Sequence, residues 1–257
     1  MSDKSFNLGD RITLGDLFLV SLGEKKVSVT DKVLKKVAER RKKLEALLDS
    51  GKTMYGINTG FGELASQRVS KENLKTLQVN LIRSHSCGVG EPLEDDEVRA
   101  MMFARVNELA MGNSGVRPVV LTTLAAMINN GVIPYIPSKG SVGASGDLAP
   151  SAHMALTMIG EGYACLSDSD GDWLPSAEIM KKAEIEPIEL AEKEGLALIN
   201  GTQAMPDRLR SLTAAGKWPT GWSAFLRTIL PPAFSVTPTL DIQRRRGSHA
   251  ETECAFR

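Results

Sequence analysis

The chain has 257 residues, with 31 basic and 31 acidic side chains, 42% apolar residues and only 5% aromatics. That length buries a sizeable core, in one large domain or two small ones. The zero net charge excludes a bulk electrostatic attraction to nucleic acid or to an anionic membrane, and no apolar run approaches the ~20 residues that span a bilayer. The cysteines, Cys87, Cys165 and Cys254, are odd in number and widely spaced. This fits neither a disulfide framework nor a paired metal-knuckle pattern, so no metal site is expected; they read as plain thiols of a reducing compartment. The N-terminal MSDKSFNLGD is polar and carries no secretory pattern. A cytoplasmic protein without nucleic-acid or membrane partners is expected.

In chain order, Thr30 reads as a helix N-cap. Val33, Leu34, Val37, Leu44, Leu47 and Leu48 then recur near helical spacing as far as Ser50 and Gly51, a stop signal. The lysines and arginines between them read as a solvated face. Ser70 opens a second helix carrying Leu74, Leu77 and Leu81. The acidic run Glu94 to Glu97 favours a third helix start through the helix dipole. That helix is predicted to turn Val98, Met101, Met102, Val106 and Leu109 inward. Pro118 suits the first turn of a fourth helix, which Gly131 ends, and a fifth is predicted from about Leu148 to Ile159. Strand-like alternation is scarce, so the fold class is mainly α, with glycine-rich loops between the helices.

The last fifth has a different composition. From Pro206 onward there are seven arginines to one lysine, against fifteen lysines to eight arginines before it, and the same stretch holds five of the 12 prolines. A basic tail can bind nucleic acid or act as a localisation signal. The preferred reading is a segment outside the fold, from a shifted reading frame or an unrelated terminal exon. The boundary is set at residues 1–205 for the folded domain and 206–257 for the tail.

Residues 140–150 read GSVGASGDLAP. A phosphate loop requires a lysine and a hydroxyl residue after its last glycine, whereas here Asp147 follows Gly146 and would repel a phosphate. A dinucleotide fingerprint requires a βαβ unit, which the surrounding pattern lacks. A flexible linker is disfavoured because Asp147-Leu148-Ala149-Pro150 runs straight into an apolar helix. The remaining reading is self-modification. In Ala144-Ser145-Gly146 the amide nitrogen of Gly146 can attack the carbonyl carbon of Ala144 and close a five-membered ring. Glycine lacks the Cβ that would block this approach. Loss of one water from the ring and one from the Ser145 side chain gives 4-methylideneimidazol-5-one (MIO), an electrophile made without any external cofactor.

The longer stretch GSVGASGDLAPSAHMAL resembles the signature of the aromatic amino acid ammonia-lyase family. Three further segments resemble it in order and spacing: YGINTGFG at 55–62, NLIRSHSCGVGEPL at 80–93, and NGTQ at 200–203. The resemblance runs from about Asp10 to Gln203 or Met205 and stops where the composition changes. Family members are roughly twice this length, and it is their N-terminal half that is matched.

The resemblance implies the N-terminal part of an ammonia-lyase/fumarase-like helical fold, with the site carried on glycine-rich loops. It implies elimination of ammonia from an amino acid substrate through MIO formed from Ala144, Ser145 and Gly146, in a homotetramer. Tyr55 would take the β-proton, although a phenol with an ordinary pKa of about 10 needs a setting that stabilises the phenolate. Asn200 would polarise the ring carbonyl as an oxyanion-type donor. His85 would face the substrate side chain, and the Ser-His pair followed by Gly-Val-Gly-Glu-Pro-Leu is most like the histidine lyases. Asp147 either acts on Ser145 during ring formation or caps the helix that follows; both readings stay open. His153 reads as structural. Histidine ammonia-lyase activity, giving urocanate, is the first expectation. Phenylalanine or tyrosine lyase or aminomutase activity is a second, and a truncated, inactive fragment acting as an assembly module is a third.

Overall fold

The computed structural model describes residues 5–50, 54, 56–60, 69–142, 146–167, 169 and 172–202. The centre of the molecule is the helix that the acidic run was predicted to start, α4 (Asp95–Ala110), with Glu94 at its N-cap. The Glu94 N–H donates to the Glu97 carboxylate at 3.3 Å, one of the orphan amides of a helix start satisfied locally. Val98, Met101, Met102, Val106 and Leu109 are all buried, as predicted, and so are Arg99, Arg105 and Asn107 on the same helix. A helix buried on all faces belongs in the middle of a core, and its polar members need partners there.

The other helices are α1 (Leu14–Ser21), α2 (Asp31–Asp49), α3 (Lys71–His85), α5 (Pro118–Asn129), α6 (Leu148–Met158), α7 (Ser176–Lys182) and α8 (Glu194–Ile199), of which α1, α2 and α5 pack against α4. The predicted starts at Thr30, Ser70, Pro118 and Leu148 agree with α2, α3, α5 and α6. Thr30 caps α2 by accepting from the Val33 N–H at 3.4 Å. Pro118 sits in the first turn of α5, and Gly131 turns the chain just beyond it with φ +67. Helix α1 was not predicted. Its signal was Thr13-x-x-Asp16, a reciprocal box in which the Asp16 N–H donates to Thr13 Oγ1 (3.1 Å) and the Thr13 N–H to the Asp16 carboxylate (3.0 Å).

The basic face of α2 needs one correction. Arg40, Lys42 and Lys43 are exposed, but Arg41 is 4% exposed. Its Nε and Nη2 pair with Glu45 at 2.7 Å and Glu192 at 2.9 Å, and Nη1 donates to the Glu192 carbonyl at 2.9 Å. It ties α2 to the segment before α8. Leu47, in the apolar pattern of the same helix, is 45% exposed.

The strands are two to four residues long, too short to show alternation in sequence. β1 (Ser5–Asn7) and β2 (Lys26–Ser28) pair in parallel with Phe6 opposite Val27. β3 (Val89–Pro92) pairs antiparallel with β5 (Pro137–Lys139) through an irregular register. β4 (Val132–Pro134), β6 (Tyr163–Leu166) and β7 (Leu174–Pro175) form a small antiparallel sheet in the order β4-β6-β7. One apolar cluster joins residues of α1, α4, α5, α6, α7 and α8, with the Phe6 and Phe103 rings edge to face at 5.0 Å. Among the described residues no helix is long and apolar enough to cross a membrane.

Candidate active site

Contacts join three of the four sequence motifs, the stretches that begin at Asn80, Gly140 and Asn200. α3 ends on His85, and the chain then turns into β3, which lies along β5 and so against the start of the glycine stretch. The contact is tight. A Cβ on Gly140 would lie 2.9 Å from the Gly88 Cα, and one on Gly88 would lie 3.1 Å from both Pro137 Cβ and His153 Nε2. Only glycine admits this approach of two backbones. The Gly88 N–H donates to His153 Nε2 at 3.1 Å, so that nitrogen holds a lone pair and the imidazole is neutral. Burial pushes the His153 pKa below its ordinary value, which favours the same form. His153 therefore pins the loop behind His85 to α6, in keeping with its structural reading.

His85 Nδ1 lies 2.8 Å from the Leu81 carbonyl oxygen and 3.1 Å from Ser84 Oγ. A carbonyl can only accept, so Nδ1 carries a proton, and in the neutral form of the imidazole Nε2 is the nitrogen that can accept. The ring is half-buried at the end of α3.

At the other end of the glycine stretch, Gly146 has φ +99, and a Cβ there would collide with the Gly201 carbonyl oxygen and lie 2.9 Å from its carbon. The Asp147 N–H donates to the same Gly201 carbonyl at 2.7 Å. The structure thus sets Gly146 and Asp147 directly against the Asn200-Gly201 turn, two motifs more than fifty residues apart in the sequence. Asn200 ends α8 and its side chain is exposed. Asp147 stands at the N-cap position of α6 but its side chain makes no cap hydrogen bond. Its buried carboxylate accepts from Ser141 Oγ through Oδ1, while Oδ2 has no hydrogen-bond partner among the described residues. The side-chain capping alternative is thereby removed.

Tyr55, Ala144, Ser145 and Gln203, and the tail 206–257, lie outside the described residues. Beside Tyr55, residues 56–60 are buried. The turn is closed by Asn58 Oδ1 accepting from the Met54 N–H at 2.7 Å and Thr59 Oγ1 accepting from the Gly56 N–H at 3.1 Å.

Two described residues, Gly146 within the tripeptide and Asp147 after it, bear on an Ala-Ser-Gly-derived ring. Gly146 has the Cβ-free, positive-φ backbone that the ring nitrogen needs, in a cradle that a Cβ would fill. Asp147, two positions after Ser145 in the chain, offers a buried carboxylate oxygen with no hydrogen-bond partner among the described residues. Both fit. Among the described residues no group of three or more histidine, cysteine, aspartate or glutamate side chains could hold a metal ion. Cys87 is exposed, and Cys165 is a buried thiol whose pKa is pushed up to about 11, chiefly by desolvation.

Sequence reasoning passed over the residues that hold α8. Gln78 on α3 accepts from the Leu196 N–H at 3.3 Å. Glu194, fully buried, accepts from the Arg117 N–H (2.8 Å) and Nε (2.9 Å) and the Ala191 N–H (2.7 Å). Arg105 reaches the far end of the helix. For Arg105 a signal did exist, a charge set among core positions of an otherwise apolar helix.

Comparison with known proteins agrees with this arrangement. The family model described as aromatic amino acid lyase matches residues 12–206. The histidine ammonia-lyase of Geobacillus thermodenitrificans is 46% identical over 197 residues, covering 77% of this chain and 38% of that protein. That of Sorangium cellulosum is 49% identical over 201 residues with the same coverage. Among solved structures, the tyrosine aminomutase from Streptomyces globisporus is similar at a TM-score of 0.74 and 40% identity, covering 80% of this chain and 38% of that one. The histidine ammonia-lyase from Trypanosoma cruzi is similar at 0.75 and 35%, covering 82% and 41%. The chain spans about 38% of the length of the curated relatives it matches. Its helical core, its glycine cradle and its sequence from residue 12 to residue 206 agree on one ancestry, and the chain belongs to the aromatic amino acid lyase family.

Proposed function

We propose that this chain carries the N-terminal part of a histidine ammonia-lyase site, which eliminates ammonia from L-histidine to give urocanate. The observation that carries the reading is the seating of Gly146 on the Asn200-Gly201 turn. Gly146, the last residue of the tripeptide proposed to cyclise, lies against the turn that carries the asparagine which the family resemblance makes its partner. Identity of 46–49% to histidine ammonia-lyases supports histidine as the substrate.

The ring proposed to form from Ala144, Ser145 and Gly146 supplies an electrophilic carbon that no unmodified side chain offers. The chain's own residues do the rest. Asp147, whose buried Oδ2 has no hydrogen-bond partner among the described residues, is assigned the acceptance of a proton from the Ser145 hydroxyl during maturation. The Asn200 side-chain amide can donate a hydrogen bond to the oxygen of the site where negative charge develops. His85, with Nδ1–H committed to Leu81, offers Nε2 as an acceptor for the N–H of a substrate imidazole. Tyr55 is assigned the removal of the β-proton. The domain is assigned to residues 1–205, supported by the change in lysine and arginine usage at Pro206. A cytoplasmic homotetramer is proposed from the family resemblance. The aminomutase alternative has the support of the tyrosine aminomutase structures.

Intact mass and product analysis test the proposal together. A mass lower than the sequence value by two waters, with urocanate formed from L-histidine, is the expected result. A β-amino acid product from L-tyrosine without urocanate would transfer the assignment to an aminomutase. An unaltered mass with no product would overturn the enzymatic reading in favour of an inactive assembly module.

A further inference from the structure

Arg105 is a charged side chain in the middle of the core helix, and it is only 2% exposed. Glu108 takes Nη1 at 2.8 Å, but most of the guanidinium is spent on main-chain oxygens. Nε donates to the Leu198 carbonyl at 3.2 Å, and Nη2 donates to the Ala197 and Asn200 carbonyls at 2.5 and 2.8 Å. These are the carbonyls at the end of α8. The last carbonyls of a helix lack partners within it and carry the negative end of its dipole.

A guanidinium holds five N–H donors in one rigid plane, so a single side chain can take several carbonyls that fan out around a helix end. An apolar side chain of similar volume would be cheaper to bury, but it could not hold three carbonyl directions at once. Gln78 and Glu194 tether the middle and the start of α8. Of these three groups it is Arg105 that reaches the turn carrying Asn200. That turn is also the one whose Gly201 carbonyl meets Gly146 and Asp147.

We propose that Arg105 is a positioning residue for Asn200: by binding the carbonyls of Ala197, Leu198 and Asn200 from inside the core, it sets where the asparagine stands relative to Gly146. Its functional meaning rests on the reading of Asn200 as a site residue, while the positioning itself does not.

The test is the 257-residue chain labelled with 15N-asparagine, as wild type, Arg105→Lys and Arg105→Met. The Asn200 backbone and side-chain amide signals are assigned by their loss in Asn200→Ala. Both Arg105 substitutions are expected to shift the Asn200 signals while those of Asn7 and Asn129, held on Ser28 and Val27, stay in place. Unmoved Asn200 signals would overturn the proposal, and so would equal movement of Asn7 and Asn129, which marks a general loosening of the core. Should the methionine variant fail to fold, the lysine variant decides, since it keeps the charge but not the fork. In parallel, Arg105→Lys is expected to lower kcat for ammonia release by about 100-fold with KM changed by less than about threefold. Loss confined to KM would count against the proposal. A wild-type chain that releases no ammonia would overturn the functional reading of Asn200 and leave the asparagine signals to decide the positioning role.

Discussion

At the scale of single residues, the site depends on groups whose hydrogen-bonding state is imposed by one neighbour. His153 accepts from the Gly88 N–H and so must remain neutral, and burial lowers its pKa in the folded state. A histidine that binds its proton less readily when folded adds stability that is complete above its unfolded pKa of about 6.5 and is lost as the pH falls through the lower folded value. His153→Gln keeps an acceptor within reach of Gly88 and removes the titration. Urea unfolding at pH 7 and pH 5 should show a smaller acid loss of stability in the glutamine variant than in the wild type. Equal losses would show that the Gly88 bond is not what keeps this imidazole neutral. The same attention to hydrogen-bond partners applies at Asp147, whose buried Oδ2 has none among the described residues and is costly to bury that way.

At the scale of elements, α8 is the instructive case. It has only six residues, too few to be stable on propensity alone, and its position is imposed from outside by α3, α4 and α5. Glu194 at its start is fully buried and ion-paired to Arg117 at 2.7 Å; a carboxylate there also faces the positive end of the helix dipole. Glu194→Gln removes the charge but leaves Arg117 and two backbone N–H groups pointing at it. We expect a loss of about 3 kcal/mol in chemical denaturation, with the Asp147–Gly201 contact weakened in parallel. A loss below about 1 kcal/mol would mean that packing of α8, and not this pair, holds it. Thr30, Ser70, the Glu94–Glu97 run, Pro118 and Leu148 mark the starts of five helices in the sequence. Helix α1 was missed although Thr13-x-x-Asp16 is a local signal, and α7 and α8 were missed too; α8 is held by contacts to distant segments.

At the scale of the whole molecule, one apolar cluster unites most of the helices. Leu124 on α5 is wholly buried in it, whereas Leu47 on α2 is 45% exposed although both belong to apolar patterns of their helices. Leu124→Ala should cost about 3 kcal/mol through lost burial and a residual cavity, and Leu47→Ala less than about 0.5 kcal/mol. Comparable losses would mean that Leu47 is covered in solution. The sequence by itself determined the mainly α class and the starts of five helices, and it carries the tripeptide Ala144-Ser145-Gly146 that is proposed to cyclise. Caps, periodicity and a tripeptide motif are all written within a few residues of one another. Only the tertiary structure decided that Arg41 and Arg105 lie inside and that Gly146 meets Gly201. It also decided that Gln78, Arg105 and Glu194 set α8. Their partners lie 77 to 118 residues away along the chain, and a buried charge is defined by the group that neutralises it, which no local pattern contains.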